Sequence, residues 1–398
     1  MIKEVDRNLY AYLLLALFIF LGGLFNVKNY LREEKKPIEV VKIVEIVKVK
    51  PPSVPKPYPL ITTARSNRSV DIVIIVVLSN GTDPDDYHTS LNSLECYSKL
   101  HGYQLLIEKD DRFEECAKHN DPLFKRHCHI YQIMTKKIFE DSWFLFLDPD
   151  VGIVNPNKLI ESFIEPGYDI YLYNRFYDAE FATQYLLRNT DRSRDWLKQW
   201  ADMEFNLPAD YYGTDSGALN MHLMYYLIQE TTGRNPSRLA RRCSSMWEKS
   251  VTPVDLLTMK ACTKMVIGER SYFPDQRVKI LPKGRGWARE MWVLKSHWAI
   301  DDFMVQSIKD ENLKPKEVKE HHHNTALIDT DEDKVLAFPV LNQLNATQCK
   351  NGKEDWIMDG RLRITDALRE KLFDVITMAT IKEQYHHFGQ EFDKFRVK

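Results

Sequence analysis

The sequence has almost no charge of one sign to spare. Its 55 lysines and arginines stand against 57 aspartates and glutamates, a formal net charge of -2. That balance gives no support for a nucleic-acid partner. None of the six cysteines (Cys96, Cys116, Cys128, Cys243, Cys262 and Cys349) forms a CxxC pair, which removes the zinc-ribbon class. In an oxidising lumen several can pair, but their spacing does not say which. The chain also lacks an internal repeat, and it lacks the histidine-rich core cluster usual in metal-dependent hydrolases. After Leu9–Val27 no second apolar run of comparable length follows.

That one run is uncharged, and roughly 20 apolar residues cross a bilayer as a helix. Only Gly22-Gly23 resembles a cleavage site, so residues 9–27 are expected to stay as a signal-anchor behind a cytosolic tail of residues 1–8. Lys28, Arg32, Lys35 and Lys36 follow the span, against the positive-inside tendency. The sequons at Asn67, Asn80 and Asn345 favour a lumenal C-terminal side, and glycosylation is expected at all three. Residues 28–70 read as a stem, with five prolines between Pro51 and Pro59 blocking regular structure.

Folded structure is expected from Asp71. The continuous β-branched run DIVIIVVLS reads as a strand buried on both faces. A helix over 87–101, a strand over 103–107, a helical segment over 129–139 and a strand over 143–147 follow. A strand is expected at 168–173, a further apolar run covers 181–187, and helices are expected over 195–205 and 221–229. This rhythm predicts an α/β domain over 71–306 with a mostly parallel sheet. Residues 307–398 read as a peripheral C-terminal region.

The sharpest local feature is FLFLDPD at 144–150. Asp148 and Asp150, spaced i, i+2 after an apolar strand, place their side chains on the same side of an extended chain, and Pro149 holds Asp148 extended. Paired carboxylates repel unless a cation lies between them, and a divalent ion with hard oxygen ligands supplies one. A strand-capping turn is the alternative.

Residues 71–306 resemble a nematode-expanded family first described as a domain of unknown function and treated as nucleotide-diphospho-sugar transferase-like. The resemblance rests on WFLFLDPDVGIVNP at 143–156, YNRFYDAEFATQYLLRNT at 173–190, YYGTDSGALN at 211–220 and LPKGRGWAREMW at 281–292. More broadly the chain is similar to the retaining Golgi galactosyl-, mannosyl- and xylosyltransferases. That likeness implies a GT-A (Rossmann-like) fold and a manganese or other divalent ion on Asp148 and Asp150. It also implies a nucleotide-sugar donor, a glycan or glycoprotein acceptor, and a type II location in the Golgi or ER membrane. By the same likeness Asp215 is the second-site, catalytic carboxylate. Arg188 and Asn189 match a substrate-binding segment that precedes the helix carrying Trp196 and Trp200.

Arg175, Arg285, Trp287 and Lys295 are further candidates for substrate contacts. The sequence departs from the pattern at Pro149, and at Val305-Gln306-Ser307, where the resembled enzymes tend to carry His-Gly. His297 is the substitute third metal ligand. The departure keeps a second reading in play, a catalytically inactive transferase-like lumenal protein that binds glycans or a partner. The sequon reading is checked directly: endoglycosidase treatment of the full chain made in a secretory host should increase its gel mobility, and unchanged mobility would remove the support for a lumenal side.

Overall fold

The computed structural model describes residues 70–176, 179–232, 237–313, 337–340, 344, 345, 349 and 356–391. The expected membrane span, the stem and Asn67 lie outside the described residues. Among the described residues no helix is long and apolar enough to cross a membrane.

The chain runs β1 (Ile72–Leu78), α1 (His88–His101), β2 (Gln104–Lys109), α2 (Pro122–Met134), β3 (Trp143–Phe146), β4 (Gly152–Ile153), β5 (Ile170–Tyr173) and β6 (Tyr185–Arg188). Helices α3 (Asp191–Asp202), α4 (Asp215–Thr232), α5 (Arg238–Trp247) and α6 (Pro253–Ile267) come next. Strands β7 (Tyr272–Phe273), β8 (Val278–Leu281), β9 (Ala288–Glu290) and β10 (Met304–Gln306) and a final helix α7 (Asp366–Glu391) complete the described elements.

A seven-stranded sheet has the order β2-β1-β3-β6-β5-β8-β7. Strand β1 pairs in parallel with β2 and β3, and β5 with β8; β6 is antiparallel to both its neighbours and β7 to β8. The sheet is therefore mixed, not mostly parallel as the rhythm of strands and helices suggested. The carboxyl ends of β1, β2, β3, β5 and β8 share one edge, which is where open α/β sheets offer a crevice to ligands.

The β1 run is buried at every position, as a strand covered on both faces must be. Its side chains alternate between two cores. Val73, Ile75 and Val77 join Phe124, Trp196, Trp200 and Leu219 on the face covered by α2, α3 and α4. Ile72, Ile74, Val76 and Leu78 join Leu94, Tyr97, Trp287 and Met304 on the other. Each buried aliphatic side chain contributes roughly 1.5–3 kcal/mol, so shifting β1 by one residue would exchange its partners in both cores.

A second, three-stranded sheet of order β4-β10-β9 lies in that second core. Among the described residues beyond 307, read as peripheral from the sequence, several pack against the domain: Trp356 is fully buried, Trp298 Nε1 donates to the Asp359 carbonyl, and Cys349 is bonded to Cys96 on α1. Apolar residues scattered through a charged segment had hidden this packing. Cys116–Cys128 and Cys243–Cys262 complete the pairing, and no cysteine is free.

The Cys96–Cys349 bond spans 253 residues and ties the C-terminal part to α1. Closing so long a loop restricts the unfolded chain. The C96S/C349S double variant should lose about 2–5 kcal/mol in urea unfolding. An unchanged midpoint would show that the tether contributes nothing.

Candidate active site

Asp148 and Asp150 follow β3 at the carboxyl edge of the sheet. Their loop is held on three sides. Ser90 Oγ on α1 donates to the Pro149 carbonyl (2.5 Å), the Val151 amide closes a turn onto the Asp148 carbonyl, and the Ile308 amide donates to the Asp150 carbonyl (2.9 Å). Strand β4, which starts just after Asp150, pairs with β10 with Gly152 opposite Val305. A Cβ at 152 would meet the tips of the Ile308 and Phe338 side chains, which would have to shift, so glycine eases this close approach.

An arginine that no motif announced stands over the pair. Helix α2 starts with Asp121 capping Leu123 and with Pro122 in its first turn. It runs back from the carboxyl edge, so its first turns face the aspartates. Arg126 Nη1 donates to Asp148 Oδ1 (2.6 Å), and Nη2 to Asp215 Oδ2 (2.7 Å). His127 Nε2 lies 3.0 Å from the same Asp215 oxygen, and its Nδ1 3.3 Å from the Tyr185 hydroxyl. The ring stacks on Trp200 at 3.8 Å. Burial lowers the His127 pKa to about 4, against its bond to Asp215. At neutral pH it is therefore uncharged, donating from Nε2 and accepting at Nδ1.

Asp215 opens α4, and its side chain is enclosed. Burial alone would raise its pKa, but Arg126 first and His127 next overcome this and hold it at about 2. It is ionised throughout the physiological range and is in no position to donate a proton. Asp150 has the opposite balance. Burial, then the neighbouring Asp148 charge, push it up to about 7, and a backbone hydrogen bond from Ser307 and the more distant Arg175 offset only part of that. Its Oδ1 is buried without a hydrogen-bond partner. A buried carboxylate oxygen with no donor, next to a second carboxylate, fits a hard divalent cation.

Gln306 completes the wall. Its Nε2 lies 3.5 Å from Asp148 Oδ2, and its Oε1 accepts from Gln184 Nε2 at 3.0 Å. Gln184 in turn accepts from the fully enclosed Tyr173 hydroxyl (3.2 Å). The next residue, Ser307, has φ 82°, a left-handed conformation that favours glycine. The segment at 305–307 therefore falls beside Asp148, with serine in a backbone shape suited to glycine. An amide oxygen can also ligate a hard cation, and its O and N ends are exchangeable by a flip.

Several expected contacts are placed elsewhere. His297 turns its Nδ1 onto the Leu294 and Lys295 carbonyls, and among the described residues no three His, Cys, Asp or Glu side chains converge on one point. No described contact brings it to the aspartates. Lys295 ends the same turn in a left-handed conformation (φ 45°). Arg188 pairs with Trp143 across the ladder and binds Asp141, at the far end of the sheet, because β6 runs antiparallel. Asn189 is buried there, donating to the Met134 and Phe139 carbonyls.

Trp287 is buried against Tyr173, and the close approach of the Tyr173 ring leaves no room for a Cβ at Gly286. Arg285 is exposed and paired with Glu370. Arg175 is held between Glu290 (2.6 Å) and Glu180 (3.2 Å). Asn80 and Asn345 are exposed, as sequons need.

Residues 94–322, more than half of the chain, match the family model described as "Protein of unknown function, DUF273". The chain belongs to DUF273. The matched span takes in Arg126, Asp148, Asp150, Asp215 and Gln306. No curated protein matches this DUF273 chain. Three solved structures show slight likeness. One is a glycosyltransferase involved in the glycosylation of the major capsid of PBCV-1, at 19% identity over 41% of this chain and 79% of that chain, TM-score 0.32. The second is the glycosyltransferase GlyE of Streptococcus pneumoniae TIGR4, at 16% over 38% and 43%, TM-score 0.28. The third is mouse xyloside xylosyltransferase 1 in its apo form, at 13% over 34% and 76%, TM-score 0.22. Likenesses this slight carry no assignment of fold or activity.

The opposite shifts of the two aspartates give a pH signature. Asp150, raised in the fold, lends stability that is complete below its unfolded value near 3.8 and is lost as pH rises through about 7. In chelator, wild type should lose on the order of 1–3 kcal/mol between pH 4 and 8 through this group, and D150N should flatten that slope. Asp215, depressed, lends stability present above about pH 3.8 and lost as pH falls through about 2. An identical urea-stability profile in D150N from pH 4 to 8 would contradict the crowding of the two carboxylates.

Proposed function

We propose that this DUF273 chain is a glycosyltransferase that moves a sugar from a nucleotide-diphospho-sugar to a glycan or glycoprotein hydroxyl, with a divalent ion, manganese foremost, held by Asp148 and Asp150. The carrying observation is the pair of crowded carboxylates at the carboxyl edge of the sheet, one with a buried, donorless oxygen. A bound divalent ion supplies charge to offset the leaving diphosphate. The chain's own part is to place and to bind. Arg126 offers a fixed cation at the same point, and a guanidinium suits phosphate oxygens. Asp215 aims that guanidinium from one side while His127 and Trp200 fix Asp215, so Asp215 acts here as a positioning residue. Gln306 and Gln184 orient Asp148 and offer amide groups to a sugar hydroxyl or to the metal.

Retention of anomeric configuration rests on the family likeness. The pairing of all six cysteines suits an oxidising compartment and supports a type II protein of the Golgi or ER membrane anchored by residues 9–27. One observation favours the second reading, an inactive glycan- or partner-binding protein. Gln306 meets Asp148 with a neutral amide, and Arg126 already neutralises that carboxylate.

Calorimetry with UDP- and GDP-sugars, with and without manganese, separates the two. On the first reading at least one donor binds only with manganese. D148N and D150N then weaken it tenfold or more, about 1.4 kcal/mol each, and wild type releases free nucleotide when an acceptor is added. Manganese-independent binding, or equal affinity in both variants, would return the motif to a structural turn.

A further inference from the structure

Arg126 divides one guanidinium between two carboxylates. Its Nη1 donates to Asp148 Oδ1 (2.6 Å), its Nη2 to Asp215 Oδ2 (2.7 Å) and its Nε to the Leu123 carbonyl of its own helix (3.1 Å). The Phe146 ring lies 5.2 Å from the guanidinium carbon. The strongest arginine–carboxylate pairs put two N–H groups on one carboxylate. Here each carboxylate receives one, so the two contacts can break separately.

They are not held equally. The Asp215 side chain is 2% exposed, and the oxygen that takes Arg126 also meets His127 Nε2 at 3.0 Å. The Asp148 side chain is 15% exposed, and its second oxygen is met at long range by the neutral Gln184 and Gln306 amides (3.4 and 3.5 Å). Breaking the Asp215 contact would leave an enclosed carboxylate short of its cation, which is costly. Breaking the Asp148 contact leaves a carboxylate that another cation can reach. Nη1 is therefore the end of the fork that can leave, with Nε and Nη2 as its anchor.

We infer, on the metal-and-donor reading above, that Arg126 competes with the divalent ion for Asp148 and is handed over to the donor when the ion binds. Nη1 leaves Asp148, Nη2 stays on Asp215, and the freed N–H turns to a diphosphate oxygen. Charge drives the exchange. A guanidinium and a doubly charged ion on one carboxylate repel each other, and an arriving diphosphate restores the negative charge that the arginine has lost. The ion and the diphosphate should then each favour the other, with Arg126 carrying the coupling.

Two titrations of the full chain test this: manganese alone, followed by electron paramagnetic resonance, and inorganic pyrophosphate at saturating manganese, followed by calorimetry. Arg126→Met should bind manganese about tenfold more tightly than wild type and pyrophosphate about tenfold more weakly. Arg126→Lys keeps the charge, but its single ammonium, held by the enclosed Asp215, leaves Asp148 open. Manganese should therefore still bind severalfold more tightly and pyrophosphate more weakly, and this variant decides the matter if Arg126→Met does not fold. An arginine that only shapes the loop would loosen both ligands together. Manganese binding in wild type that is unchanged or weaker in Arg126→Lys, or undiminished pyrophosphate affinity in either variant, would overturn the handover and leave the metal site standing. No manganese binding in wild type or in either variant would overturn the metal reading and the handover with it.

Discussion

Two carboxylates at the end of one buried strand cannot both be charged cheaply, and the arrangement around them follows from that constraint. The loop that carries Asp148 and Asp150 is held through its carbonyls by the Ser90 hydroxyl of α1, by its own turn and by the Ile308 amide after β10. Arg126 relieves one of the two aspartates and is itself claimed by Asp215. Three carboxylates and one guanidinium leave a deficit of positive charge, and it falls on Asp150, whose Oδ1 has no donor. Breaking either Arg126 contact would leave a buried charge uncompensated, at a cost that typically reaches 3–5 kcal/mol.

The topology explains why these groups meet. Helix α2 must return from the carboxyl edge to reach parallel β3, so its first turns carry Arg126 and His127 to that edge. Antiparallel β6 ends at the opposite edge, α3 brings the chain back, and α4 therefore starts with Asp215 beside Arg126. The same reversal carries Arg188 and Asn189 away. The small second sheet supplies Gln306 because β10 pairs with the strand that follows Asp150.

Much of this was legible in the residues. The unbroken β-branched run of β1, the apolar strand before Asp148 and the helices over 87–101 and 221–229 carry strong local signals, and the structure has elements at each of these places. The mixed direction of the sheet carries no such signal, because a strand's orientation is set by its partners and not by its own pattern. Arg126 lies 22 residues before Asp148 on a helix whose start had to be read from Asp121-Pro122. Taken alone it looks like any arginine on an amphipathic helix. Trp287, read as a substrate contact, is packed inside for a related reason. Glycine and tryptophan in a polar stretch suit a binding loop, yet the same pair suits an indole packed beneath a close backbone.

The deficit of charge at Asp150 is most directly tested by titrating the full chain with manganese and following the free ion by electron paramagnetic resonance. One manganese per chain in wild type, lost in both D148N and D150N but kept in His297→Ala, is the result expected. Failure of wild type to bind manganese, or unaltered binding in D150N, would contradict it.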